Sequence, residues 1–573
     1  MKHRLSALLM FCLGHALWGQ DLTEGHTSQY WLDGFARTWF TSNTMLNQPE
    51  PSVTGGWNLL DLNPHVNPTP NVEVFAQVRV LNRFGGFFGQ GTQVDVRQLR
   101  VSGVLKGKVR FNVGDIYLNQ SCYTLHADEG EVFDPWGRAF EAQKRLVAYE
   151  NFFEDNRWRL QGAHANAVFL GDRWVERLVL DGYATRPRGS RQLSESSYVP
   201  DRVLAGVTSA VVGQDGWSGE LHHSVLADLP QSGTAEHNVL NPVLHGLVHK
   251  EGTKKGVHMK WTAEAGASRR GWKLRDLSAP DLDSLVLSQT GGFASLQVKM
   301  TGQDSSWNVR ASYREVDPFF RSAGAQSKRY NFTDLPAPSV FPTWGAGASF
   351  RSASLFDLLT DVSRANQGVS PTLMAVAPLF DNVLPYGCAT PNRRGGEIAA
   401  EKRWKSMAFK LNLGRFGELT GQGTTQLRSF SVLGLGMEWT STSSPQAWRV
   451  SVFENVQQTQ RGGSALESVE LLTSNLTLSG GYEVWPDTWL ECSGRHALGR
   501  GHEYLGIRDN LGELYNFERV ELDTQAWMTS FGVKHLLSND ISASVQWNAW
   551  GQGAVEEEAL RANQLFIVIS ARL

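Results

Sequence analysis

The sequence predicts an all-β protein, a transmembrane antiparallel up-and-down β-barrel of roughly 20 to 26 strands with long loops on one side. Three observations lead to this fold class. The chain ends in a segment that alternates apolar and polar residues up to its last position. The same alternation recurs at many upstream positions, and short turns alternate with long loops.

The last segment carries the clearest pattern. Ser570 and Arg572 lie on one face of the predicted strand. The residues that share the opposite face are Leu565, Ile567, Ile569, Ala571 and Leu573. A terminal strand in lipid must pair with the first strand, because an open edge leaves backbone groups without hydrogen-bond partners. We therefore expect it to pair with a strand near residues 30–44.

Several upstream segments have the same two-residue period. Residues 541–549, 109–113 and 307–314 each place apolar side chains opposite polar or charged ones. A helix would scatter these side chains around its circumference, so the period indicates strands. In the segment 72–80, Phe75 is the one apolar residue on an otherwise polar face.

Connections of two kinds separate these strands. Turns rich in glycine, asparagine or aspartate are predicted at 106–108, 170–173 and 538–540. Residues 137–151 fit a short helix as an alternative, and residues 354–362 fit either period. Long loops are predicted at 45–70, 120–140, 186–201, 228–254, 317–343 and 364–396.

The N-terminus predicts export. Lys2, His3 and Arg4 precede the apolar run 5–13, and small residues follow before Gln20. The predicted domains are a signal peptide at 1–19 and a single barrel with loop insertions at 20–573.

Composition excludes several classes of protein. The mean hydropathy is −0.30, and no downstream apolar run has the length of a transmembrane helix. The 20 Trp, 28 Phe and 12 Tyr suit interfacial girdles, and the formal net charge of −3 argues against nucleic acid as a partner.

We find no catalytic or metal-binding motif in the sequence. Without Cys12 of the signal peptide, Cys122, Cys388 and Cys492 allow at most one disulfide. We find no clustered Cys/His spacing and no Gly-x-Ser-x-Gly. We therefore predict no metal site, no cofactor and no catalytic residue, and expect that the protein is not an enzyme. An active site spread over distant strands stays open as an alternative.

Basic residues recur on the predicted lumen faces. One interpretation is a passage that attracts anions. The other is a wall whose charges are neutralised by carboxylates such as Glu73 and Asp95. The candidate lumen-lining residues are Arg79, Lys108, Arg110, Arg310, Arg314 and Lys410.

The loop at 317–329 contains adjacent Phe319 and Phe320. Two neighbouring phenylalanines are costly to expose to water. We therefore expect a constriction loop folded into the barrel.

Three short segments resemble large outer-membrane barrel proteins of the Bacteroidota: Val113–Leu118, Tyr123–Leu125 and Ser322–Ser327. The resemblance implies a location in the bacterial outer membrane and a role in transport or secretion. It also implies outer-membrane lipid, the barrel-assembly machinery and secretion or transport components as partners. It assigns no catalytic or binding residue.

Two functions of different classes follow. The first is a porin-like channel, or the barrel component of a transport or secretion assembly. The alternative is a secreted soluble all-β protein that binds or cleaves polysaccharide. The direction of the apolar faces separates them, because a soluble protein buries those faces and a membrane barrel exposes them.

Overall fold

The computed structural model describes residues 29–46, 52–84, 91–126, 138–152, 155–171, 174–192, 197–229, 234–235, 237–274, 285–322, 324–325, 382–384, 387–421, 424–441, 446–508, 514–554 and 560–573. The predicted signal peptide and the segment 354–362 lie outside the described residues. Most of the predicted loops at 317–343 and 364–396 also lie outside them.

The described chain forms one closed antiparallel barrel of 22 strands, which confirms the predicted fold class. The first strands are β1 (Tyr30–Met45), β2 (Ser52–Thr69), β3 (Val72–Arg83), β4 (Thr92–Leu105), β5 (Val109–Leu118), β6 (Trp158–Leu170) and β7 (Val175–Arg188). Three short strands form a separate small sheet: β8 (Arg191–Gln192), β9 (Ser197–Val199) and β12 (Thr234–Ala235).

The other barrel strands follow in chain order. They are β10 (Asp201–Gly213), β11 (Trp217–Leu229), β13 (His237–Lys254), β14 (Val257–Leu274), β15 (Leu285–Gly302), β16 (Trp307–Val316), β17 (Arg393–Trp404), β18 (Met407–Gly417), β19 (Ser429–Ser441), β20 (Trp448–Arg461), β21 (Val469–Trp485), β22 (Thr488–Arg508), β23 (Leu514–Leu536), β24 (Ile541–Ala554) and β25 (Leu560–Arg572).

The barrel closes between its first and last strands. β1 and β25 pair antiparallel, from Phe35 opposite Arg572 to Met45 opposite Ala562. This pairing removes the open sheet edge, as the alternating last segment predicts.

Connections at the two ends of the barrel differ in length. The end with short turns includes Pro70–Asn71 and Lys255–Gly256. The other end carries the two longest connections, residues 119–157 and 317–392. The first contains a 3-10 turn at Arg138–Phe140 and the helix α1 at Glu141–Asn151, where the sequence allowed a short helix.

The two faces of the wall have opposite chemistry. Exposed outward side chains are large and apolar, such as Val248 at 57% and Phe531 at 56% relative exposure. Side chains that point into the lumen include buried Asp61 and Arg79. This direction is that of a membrane barrel and is opposite to that of a soluble β protein with an apolar core.

Two predicted loops are wrong. Residues 52–69 of the predicted 45–70 loop form β2, and residues 237–254 of the predicted 228–254 loop form β13. Pro64 and Pro242 suggested loops because proline cannot donate to a sheet ladder. The strands accommodate them by local gaps: the β2–β3 register passes from Leu62 to His65, and the β13–β14 register from Leu240 to Val243.

No helix in the described part of the chain is long and apolar enough to span a bilayer.

Candidate functional site

Alternate residues of each strand point into the lumen. These residues are polar at many positions, which makes the lumen wall polar. On β3, Glu73, Gln77 and Arg79 are buried on the lumen side. Phe75 shares this face and lies between the His65 ring, at 4.9 Å, and the Arg100 guanidinium, at 4.5 Å from its centroid. The ring therefore packs among polar lumen groups and does not face lipid.

Helix α1 lies inside the lumen and touches two parts of the wall. At its N-terminal side, the Ala139 backbone N–H donates to Ser493 Oγ at 3.2 Å, and the Gln546 amide donates to the Ala139 carbonyl. Further along, Leu146 packs with Phe566 and Val568 of β25. Apolar burial and hydrogen bonds both fix the helix to the wall.

The C-terminal end of α1 is held by a network of charges. Arg79 donates twice to the Asp61 carboxylate, with both N–O distances 2.7 Å, and twice to the Glu150 carboxylate, at 2.5 and 3.2 Å. Arg37 contacts Glu150 at 3.4 Å, and Arg97 contacts Asp61 at 3.3 Å. Because the geometry is bidentate and the groups are mostly buried, these pairs specify one position of the helix.

Three further hydrogen bonds fix this end. Arg97 donates to the backbone carbonyls of Tyr149, at 3.2 Å, and Glu150, at 3.1 Å. A cation at these carbonyls satisfies the unpaired acceptors at the helix end and opposes the negative end of the helix dipole. The Tyr149 hydroxyl donates to Asp61. Burial and the nearby Asp61 charge raise the pKa of the Tyr149 phenol above its ordinary value.

A second group of lumen contacts involves residues 119–126. Gln120 donates to Thr208 at 3.2 Å, and the Ser121 hydroxyl donates to Glu264 at 2.7 Å. Cys122 forms a disulfide with Cys388, with a Cα–Cα distance of 6.2 Å. The two longest connections of the barrel are therefore covalently joined.

The second long connection is attached both to residues 119–126 and to the lumen wall. The Ser322 hydroxyl donates to the Thr124 carbonyl at 2.7 Å. Asn382 donates from its backbone to Gln457, at 2.9 Å, and from its side chain to Thr473, at 3.1 Å. Phe320 is fully buried, but the adjacent Phe319 is 48% exposed, so one of the two phenylalanines on which the predicted constriction loop rests is packed and the other is not.

Histidines and carboxylates lie beneath residues 119–126. The His222 and His245 rings stack at 4.9 Å. His245 is 3.3 Å from Glu264, and His222 is 3.1 Å from Glu220. Within the described ranges, no three His, Cys, Asp or Glu residues are arranged to hold a metal ion.

A cavity of about 710 Å³ remains between α1 and the wall. Glu141 and Arg145 line it from the helix. The charged wall residues around it are Lys410, Glu438, Arg449, Glu491 and Lys534. Its lining mixes both signs of charge, so it does not present a uniform field of one sign.

The candidate lumen-lining residues have different surroundings. Arg79 belongs to the α1 network, and Arg314 is buried with Glu397 at 2.7 Å. Arg310 pairs in register with Lys299, and Lys410 with Glu401. Arg110 pairs with Asn166, and these three basic side chains are exposed on the lumen side. Lys108 lies in the turn between β4 and β5.

Sequence reasoning missed the residues that fix the insertions. Arg37, Tyr149 and Glu150 meet Arg79 only after folding, and no local motif marks them. The cysteine count allowed one disulfide, and the pairing of Cys122 with Cys388 follows from the structure.

Comparisons with known proteins find β-barrels of similar structure, but they do not assign the chain to a family. No family model matches the chain, and no curated protein matches it. The unliganded ferric citrate transporter FecA has a TM-score of 0.46 and 9% identity, covering 98% of this chain and 82% of that chain. The FrpB iron transporter from Neisseria meningitidis has a TM-score of 0.43 and 8% identity, covering 94% and 82%.

The P pilus usher PapC translocation pore has a TM-score of 0.31 and 8% identity, covering 95% of this chain and 99% of that chain. All three TM-scores are below 0.5, so the fold assignment rests on the strand pairing of this chain.

Proposed function

We propose that the protein is a transport barrel of the bacterial outer membrane whose lumen is closed by its own two long insertions. Passage then requires displacement of those insertions. The observation that carries the proposal is the attachment of residues 119–126 and 138–151 inside the lumen, with the disulfide between Cys122 and Cys388.

The direction in which the apolar side chains of the wall point supports a membrane location. Exposed apolar side chains recur on the outward faces of the strands, whereas the lumen face is polar. A closed barrel of this kind satisfies all backbone groups without water, which is the requirement for spanning lipid.

The size of the barrel supports a closed lumen. Barrels of about 22 strands are wide enough to need a plug, unlike small barrels that side chains fill. Here the insertions supply groups that complete the wall. Glu150 contacts Arg37, Arg79 and Arg97. Without α1, Asp61 would be the one remaining carboxylate of this network for the three arginines.

A porin-like channel is the second candidate. The cavity of about 710 Å³ favours it, together with the exposed Arg110, Arg310 and Lys410 on the lumen side. An open passage with these residues would favour anions.

Partners and origin belong to the same proposal. We expect outer-membrane lipid around the wall, the barrel-assembly machinery during insertion, and transport or secretion components at the barrel rims. The Bacteroidota origin and the absence of enzymatic activity also remain proposals.

Planar-bilayer recordings of the purified protein test this function. We expect the wild type to be nearly silent. Replacing residues 138–152 by a short Gly/Ser linker should give large steady conductance, because it removes α1. Cys122→Ser combined with Cys388→Ser should give intermittent openings, whereas Cys492→Ser, outside the insertions, should behave as wild type.

Two results separate the candidates. Steady anion-selective conductance of the wild type would refute the closed lumen and support the porin-like channel. A silent linker variant that is folded, as judged by heat-modifiable gel mobility, would refute both.

A further inference from the structure

A carboxylate and an imidazole lie close together on the outward face of the wall, where the other residues are mostly apolar. Glu454 of β20 and His496 of β22 are both exposed. In register, Glu454 pairs with Leu476 of β21, and Leu476 pairs with His496. The carboxylate and the imidazole therefore flank the same strand on the same face.

The register confirms that this face is the outward one. On the other side, Glu454 pairs with Leu435, which is exposed. Val452, two residues before Glu454, is also exposed. Lumen-facing residues of β20, such as Gln457 and Thr459, are buried and have the opposite parity.

Glu454 lies near the middle of the apolar band. Trp439 and Trp448 meet edge-on at 4.5 Å near the end with short turns, which is where an aromatic girdle is expected. At about 3.3 Å per residue and a tilt of about 40°, Glu454 is roughly 15 Å above Trp448 in a band about 25 Å tall.

The position is unfavourable for a carboxylate in lipid. Among the described residues, Ser474 supplies its one hydrogen bond, from Oγ at 3.2 Å. An ionised carboxylate can accept about four. Ionisable groups at membrane depth are rare and usually have a partner, so the surroundings of Glu454 are incomplete without one.

The outer wall has complementary shapes on the two sides of β21. Before it, strands β16 to β20 form a concave surface of about 700 Å³. Its main apolar lining residues are Trp307, Phe409, Leu411, Leu435 and Met437. After it, β23 and β24 carry the exposed large aromatic side chains Phe531 and Trp547.

We propose that a second copy of this chain docks on this wall, with a twofold axis along the membrane normal near Leu476. In such a contact, each residue on one side of the axis faces a residue on the other side of the partner copy. Glu454 of each copy then approaches His496 of the other, and the aromatic side chains of β23 and β24 enter the concave surface.

Small residues at the centre support the contact. Gly480 of β21 and Gly494 of β22 share the outward face with Leu476 and His496. Small residues let two backbones approach closely in lipid. The proposal rests on the proposed membrane placement of the wall and is independent of whether the lumen is open.

Cys492 allows a direct test. It is the one free cysteine of the described residues, it is exposed, and it pairs in register with Gly480. Cys492 lies on β22, one strand from Leu476, so the twofold contact brings the two Cys492 thiols within reach of a cross-linker. We expect a short bismaleimide added to intact outer membranes to give a cross-linked dimer in the wild type and none in Cys492→Ser.

Variants of the ionisable pair complete the test. Glu454→Leu should lower the yield of dimer by about tenfold or more, because it leaves the partner imidazole unpaired. Exchanging the pair, as Glu454→His with His496→Glu, should restore it. Glu220→Gln is the control, because this carboxylate lies on the lumen face of β11, outside the docking surface, and its dimer yield should equal that of the wild type.

Three results would contradict the proposal or the membrane placement on which it rests. A monomer in cross-linked membranes, confirmed by native mass spectrometry in mild detergent, would overturn the proposal. An unchanged dimer yield in a folded Glu454→Leu barrel would also overturn it. Recovery of the wild type as a soluble protein outside the membrane would instead refute the membrane placement itself.

Discussion

Replacing Glu150 by glutamine tests whether α1 closes the lumen. Glu150 is mostly buried and contacts Arg79 at 2.5 Å, Arg37 at 3.4 Å and Arg97 at 3.7 Å. The substitution keeps the shape of the side chain and removes its charge. Three guanidinium groups then share the Asp61 carboxylate within this network.

The expected cost follows from the burial of these groups. Breaking a buried ion pair by removing one partner costs about 3 to 5 kcal/mol. Glutamine keeps one oxygen as an acceptor, so the lower end applies. At about 1.4 kcal/mol for each factor of ten, the population with α1 undocked should rise about a hundredfold.

Limited trypsin digestion of the purified barrel measures this population. The helix contains Arg145, and trypsin can cleave after it only when the helix leaves the lumen and unfolds. When opening and closing are fast relative to cleavage, the rate follows the open population. We therefore expect cleavage after Arg145 to be about a hundredfold faster in Glu150→Gln.

Glu141→Gln is the matched control on the same helix. Glu141 and Arg145 form an exposed pair at 3.2 Å, with side-chain exposures of 43% and 60%. Such a pair contributes about 0.5 kcal/mol or less. Equal cleavage rates in the two variants would refute the role of the charge network in closing the lumen.

Three further predictions concern the wall, its closure and the titration of the network. Phe111→Arg should destabilise the barrel by about 2 to 4 kcal/mol and Asn112→Arg by much less, measured by urea unfolding in lipid vesicles; equal costs would argue against a lipid-facing Phe111. Deleting Leu565–Leu573 should abolish assembly, because β1 loses most of its closing partner, and a heat-modifiable barrel from the truncated chain would contradict closure. The raised pKa of Tyr149 contributes stability that is present below about pH 10 and lost as pH rises through the folded-state value. Alkaline difference spectra of wild type against Tyr149→Phe should show that Tyr149 ionises above the ordinary tyrosine pKa, and ionisation at the ordinary pKa would contradict its burial.

Strand periodicity made most of the wall predictable. In residues 541–549 of β24 the two faces differ in chemistry, because one side meets lipid and the other meets polar lumen groups. In β25 the outward face is apolar, but the lumen face also carries Phe566 and Val568, which pack with Leu146 of α1. The closing pair of β1 and β25 was also predictable, since lipid does not tolerate an open edge.

Proline misled the prediction of β2 and β13. Pro64 and Pro242 suggest loops when each strand is considered alone. In the barrel each proline has two neighbouring strands, and it keeps pairing on one side while the ladder has a gap on the other. Pro64 remains opposite Leu32, and Pro242 opposite Val225. The gap is a tertiary feature that local sequence does not encode.

The lumen network was not predictable for another reason. Arg79 and Glu150 are 71 positions apart, and their contact depends on the path of the connection that carries α1. A basic residue on a lumen face looks the same in sequence whether a carboxylate neutralises it or not. Arg314 and Arg310 have the same parity on β16, yet Arg314 pairs with Glu397, whereas Arg310 lies exposed beside Lys299.

The first long connection, residues 119–157, is attached to the wall at two places, and this division bears on how the lumen opens. Helix α1 is fixed to β1–β4 and to β22–β25 by charges and apolar contacts. Residues 119–126 are fixed to β10 and β14 and are tied through Cys122 to Cys388. Loss of Glu150 therefore frees one attachment, and loss of the disulfide weakens the other. Because the two attachments contact different strands, the free-energy costs of the two changes should add, and the barrel with both changes should open more often than a barrel with either change alone.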